Sequence, residues 1–193
     1  MKNVKKSILI FLGLTLALTF CKAPQKTAYT NPKSMVTLDI PCSGPEYFSD
    51  ENYMRSTSAY DHINMQAGKN LANQFAIGEI AQDIESSISA VYDNYRKTIE
   101  KGQDQIYEGR FEGMTRIVTE DVKTRTRTKC EKIQQNQETE KFRFYITREV
   151  SLEEIFNKAE QAIKNDEVLK IDYDYEKFKN VFSEEMERRR NNG

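Results

Sequence analysis

Lys123, Arg125, Arg127 and Lys129 stand two apart in a stretch where Val122, Thr124, Thr126, Thr128 and Cys130 fill the alternate places. Side chains two apart on a strand share a face, so the spacing predicts a cationic row about 20 Å long. Such a row offers a surface to anionic glycan, lipid headgroups or an acidic partner. The simpler reading is a solvated sheet face, paired with Glu112, Glu149 or other acids on neighbouring strands. Cys42 and Cys130 are the second chemical pair. In an oxidising compartment they would bridge, closing a loop of about 89 residues and pinning the start of the domain to a strand. The other reading is two separate thiols, Cys130 beside the core and Cys42 in a turn.

Other motifs point away from catalysis. Asp172-Tyr173-Asp174-Tyr175-Glu176 has the acidic opening of a calcium loop, but Lys177 and Ser183 occupy the places that need glycine and glutamate. Those acids are expected at the start of the last helix, where negative charge meets the positive end of the dipole. The chain has one histidine, His62, and no tryptophan. It contains no G-x-S-x-G, P-loop or H-E-x-x-H motif. No catalytic residue, metal site or cofactor is expected.

The elements that must position these residues follow from periodicity. Residues 53–60 predict a short strand, and 61–64 a polar turn or cap. Ala67, Leu71, Phe75, Ile80, Ile84, Ile88, Val91, Tyr95 and Ile99 fall mostly three or four apart, predicting one long helix over 64–101. Gly102 is its stop signal, and Gly78 a place for a bend. From Arg110 the period changes to two, predicting strands over 110–120, 122–132 and 140–150. The last puts Phe142, Phe144, Ile146 and Val150 on a face covered by the long helix, and Lys141, Arg143, Tyr145, Thr147 and Glu149 on a wetted one. Ser151-Leu152-Glu153-Glu154 has the form of a capping box that opens a helix to about Asn165, and a last helix spans about 173–190. The expected fold class is α+β, a two-layer sandwich in which a long helix packs on a small, mainly antiparallel sheet.

The amino end decides where this domain resides. Lys2, Lys5 and Lys6 precede an apolar run from Ile8 to Phe20. Cationic start and apolar run together have the form of an export signal. The run is shorter than the roughly 20 residues a permanent span needs. Leu18-Thr19-Phe20-Cys21 resembles a bacterial lipobox, which implies that residues 1–20 are removed and Cys21 is acylated, with palmitate among its chains. Two acyl chains suffice for stable anchoring. Cleavage after Ala23 is the rival processing. All four prolines lie at Pro24, Pro32, Pro41 and Pro45, so residues 21–40 read as an anchor plus extended tether, and 41–193 as one domain. Losing the three leader lysines takes the formal charge from −1 to −4, which gives no basis for nucleic-acid binding.

The segments IPCSGPEYFSDENYMRSTSA, NLANQFAIGEIAQDIESSI and DYDYEKFKNVFSEEM resemble the twenty-kilodalton antigenic lipoprotein family of Gram-negative envelopes, across residues 38 to 190. A related domain begins a flagellar T-ring assembly protein. Where that pattern has a glycine-rich turn after the first strand, this chain has Tyr60-Asp61-His62. The resemblance implies an envelope domain and no reaction. Membrane attachment through Cys21, most simply at the outer membrane, is expected. The domain would serve as a binding or assembly module, meeting an envelope protein or a second copy. Peptidoglycan binding through the basic row is the alternative, and an envelope hydrolase the third reading.

Overall fold

The computed structural model describes residues 38–102 and 104–192. The leader, Cys21 and most of the tether therefore lie outside the described residues. The described chain is α+β, and its long helix covers one face of an antiparallel sheet. In order the elements are β1 (Tyr53–His62), α1 (Met65–Arg96), α2 (Gln105–Lys123), β2 (Arg127–Gln135), β3 (Phe142–Ser151), α3 (Leu152–Asn165) and α4 (Tyr175–Asn192). The sheet runs β1-β3-β2, with the last strand at its centre. Among the described residues no helix is long and apolar enough to cross a membrane.

Helix α1 begins where Asn64 Oδ1 accepts the Ala67 N–H at 2.9 Å, a side-chain cap. It runs unbroken through Gly78, where an added Cβ would meet nothing within 4 Å. Its two halves do different work. The amino half buries Gly68, Ala72 and Ala76 against Phe144 and Ile146 of β3. This corrects the expected face by one position: Phe75 is half exposed, and Ala72 and Ala76 are buried instead. Close approach is the reason. A Cβ on Gly68 would lie 2.3 Å from Phe144 Cε2, so only a row of small residues lets the helix seat on the sheet. The carboxyl half buries Ile80, Ile84, Ile88, Val91, Tyr92 and Tyr95 among α2, α3 and α4, where the main core lies.

Residues 110–120, expected as a strand, belong to α2. Tyr107, Phe111, Met114, Thr115, Val118, Thr119 and Val122 are its buried residues, three or four apart. Thr115, Ile117, Val118 and Thr119 favour a strand locally, while Gly109 and Gly113 disfavour a helix. Packing of Phe111 on Tyr92, at 5.1 Å between ring centroids, belongs to the tertiary contacts that override them. The expected strand at 122–132 is displaced likewise. β2 begins at Arg127, and residues 124–126 form the turn that leads into it.

The start of α3 follows its sequence signal, with Ser151 Oγ accepting the Glu154 N–H at 3.1 Å. Helix α4 begins where Asp174 Oδ1 accepts from Lys177 N at 3.1 Å. Asp172 instead accepts the Tyr107 hydroxyl at 2.5 Å. That bond, and then burial, push the Tyr107 phenol up to about 12. The acids of this segment thus hold the fold together.

Candidate functional site

The sheet face expected to be wet is covered at Tyr145, Thr147 and Glu149 and stays open at Lys141 and Arg143. Thr147 and Glu149 of β3 are 0% and 3% exposed, because residues 41–50 fold back across them. A disulfide between Cys42 and Cys130, with Cα atoms 5.8 Å apart, fastens that segment to β2. Cys42 sits third in a turn after Pro41 with φ 57°, a left-handed backbone where glycine would be relaxed. Cysteine at such a position argues that its side chain is in use. β2 makes the bond reachable through a bulge at Lys129. Thr128 pairs with Arg148 and Cys130 with Thr147, so the register shift puts Cys130 on the face that carries Arg127.

A buried ion network continues the clamp. Glu149 accepts from Arg55 Nε at 2.8 Å and from Arg127 Nε at 2.9 Å. Arg55 also donates to Asp50 Oδ2 and to the Phe48 carbonyl, both at 2.6 Å. Both guanidinium carbons lie 5.2 Å from the Tyr53 ring centroid. Burial raises the Glu149 pKa, but the two guanidinium bonds outweigh it and hold the carboxyl below its ordinary range. Ser49 Oγ accepts the Arg55 N–H at 2.9 Å and donates to the Arg55 carbonyl, tying the segment to the edge of β1.

The four expected cations are not a row. Lys123 ends α2 and pairs with Glu120. Arg125 lies in the turn, 3.4 Å from Asp121 and 3.3 Å from Glu154. Arg127 serves Glu149, and Lys129 is the exposed bulge residue. The physical reason is the helical turn at 122–123 and the bulge, each of which breaks the alternation. Cys21 lies outside the described residues.

The folded-back segment forms one wall of a cleft of about 800 Å³, which the sequence analysis missed. Phe48, 62% exposed, stands on that wall. Met54, Leu152 and Met186 contribute apolar surface, and Arg188, Arg189 and Arg190 come from the end of α4. Two of those arginines are fixed by a buried acid. Glu185, 3% exposed, accepts from Arg188 at 2.6 Å and Arg189 at 3.2 Å, and Arg189 reaches the Ser86 carbonyl of α1 at 2.6 Å. Asp83 lines the same cleft. Burial there raises its carboxyl pKa and Glu79 adds to the rise, against the opposing effect of Ser56 and Arg189.

A second cleft of about 560 Å³ adjoins it and shares Asp50, Leu152, Met186 and Arg190. Glu51, Glu153 and Glu187 line this part. Together the clefts form one groove with shared apolar residues and mixed charge: Arg188 and Arg189 line the first part with Asp50 and Asp83, Lys179 lines the second with the three glutamates, and Arg190 borders both. Apolar contact flanked by charges of both signs suits recognition of an extended segment. No protein-family model matches this chain, and no curated protein or solved structure shows significant similarity to it.

Proposed function

We propose that this protein is a non-enzymatic lipoprotein of a bacterial cell envelope that binds a protein partner. Acylated at Cys21, it would be held at the outer membrane with its domain on a short tether. The observation that carries the reading is the groove walled by a disulfide-fastened segment. A Cys42–Cys130 bond suits the oxidising compartment to which the leader directs the chain. The groove suits an extended peptide segment with an apolar centre flanked by charged residues of both signs. Dispersal of Lys123, Arg125, Arg127 and Lys129 removes the surface on which glycan binding rested.

A photocrosslinking residue at Phe48 of the full chain, in cells that export it, tests the groove. A discrete protein adduct is expected there and none from a probe at Ile117, an exposed position on α2. Equal silence, or equal labelling, at both positions overturns the groove assignment. Anchoring is tested separately: Cys21→Ala should release the protein from salt-washed membranes, and retention would refute acylation.

A further inference from the structure

The sheet has two edges, and they are treated differently. β2 carries a bulge at Lys129, further charge at Glu131 and Lys132, and solvent along its length, all of which discourage pairing. β1 has no bulge, no proline and no lysine. Leu152 N donates to the Asn52 carbonyl at 2.8 Å, so the even-numbered residues of β1 bond to β3 and the odd-numbered ones point their backbone groups outward. The outward groups of Tyr53 and Arg55 are occupied by Asp50 and Ser49. Those of Thr57, Ala59 and Asp61 have no partner among the described residues, and all three residues are exposed. Beside this open stretch Tyr60 stacks on half-exposed Phe75 at 4.9 Å between centroids, leaving an aromatic shoulder in solvent.

We propose that this edge pairs with the same edge of a second copy, antiparallel about a two-fold axis at Ala59. This is the two-fold register that engages every open group: Ala59 meets Ala59, and Thr57 meets Asp61 in both directions. Each of the three residues then gives and accepts one backbone bond. Alanine at the axis presents the least bulk. Asp61 meets a hydroxyl rather than a like charge, and its own charge is already matched by a bidentate bond from Arg143, at 2.6 and 2.8 Å. On the helix face Ser58 falls opposite Tyr60, which brings the two Tyr60–Phe75 shoulders to the axis and covers them. The pairing extends the three-stranded sheet across the two-fold, an isologous contact. It rests on the reading of the domain as an assembly module, and of its three paired residues only Thr57 also lines the groove.

Sedimentation of the full chain in mild detergent tests it. Wild type should sediment as a dimer, and Ala59→Pro as a monomer with an unchanged circular dichroism spectrum. Proline at Ala59 removes only an outward N–H, which an edge strand tolerates. Ala59→Lys guards against a misfolded proline variant and should also be monomeric. In exporting cells, Ala59→Cys should give a reducible homodimer, whereas Ile133→Cys on β2 should not. A monomeric wild type, or dimers that survive both substitutions, overturns the pairing. So does an Ala59→Cys adduct to a different protein, which would assign the edge to that partner. Any of these leaves the groove to be decided by the Phe48 probe.

Discussion

Glu149 shows how one carboxylate binds three segments. Its side chain and that of Arg55 are 4% and 6% exposed, while Arg127 is 64% exposed. The two bonds therefore differ in weight. Removing a partner from a buried pair costs about 3–5 kcal/mol, whereas an exposed ion pair contributes under about 1 kcal/mol. Glu149→Ala should destabilise the domain by about 3 kcal/mol or more in urea denaturation, and Arg127→Ala by less than about 1 kcal/mol. The pH dependence has a definite sign. A depressed carboxylate pKa contributes stability above the unfolded value, which for Glu149 is 4.5, and loses it as pH falls through the folded value. Thermal midpoints should fall on acidification below about pH 5, and Glu149→Gln should flatten that fall. The alternation of the strands offered Glu149 as a partner for Arg127, and that pair forms; Arg55 and Asp50 come from segments far from it in the chain, and no local spacing in the sequence pointed to them.

At the scale of elements, α1 is one helix in two environments, and its glycines separate them. Gly68 faces Phe144 and the His62 Cβ, where an added Cβ would be 2.3 and 2.8 Å away, and Gly78 faces open space. Gly68→Ala should therefore destabilise the domain by about 1–3 kcal/mol through overpacking. Gly78→Ala should stabilise it by about 0.5–1 kcal/mol, since the change only improves helix propensity. Parallel urea midpoints decide both, and equal shifts would refute the difference in environment. Helices α1, α3 and α4 were legible from apolar period and caps, although α1 ends at Arg96, short of the Gly102 expected to stop it. Helix α2 was not, because β-branched residues and two glycines gave the opposite local signal until packing overruled it.

For the whole molecule the disulfide is the largest single constraint. It joins residues 88 apart, and in the chain-entropy model contributes about 4 kcal/mol. Replacing Cys42 and Cys130 by serine should lower the calorimetric midpoint by roughly 10 °C, and reductant should do the same to wild type. A shift under about 2 °C would show that the segment 41–50 is held without it. The sequence by itself determined the α+β class, the long helix, the cap of α3 and the presence of a pairable cysteine couple, because each is written in local period or residue type. Only the tertiary structure decided which sheet face is covered, which carboxylate joins Arg55 to Arg127, where the groove runs and which strand edge stays open. Those depend on a bulge that shifts Cys130 by one position and on a segment that folds back, neither of which leaves a periodic trace in the chain.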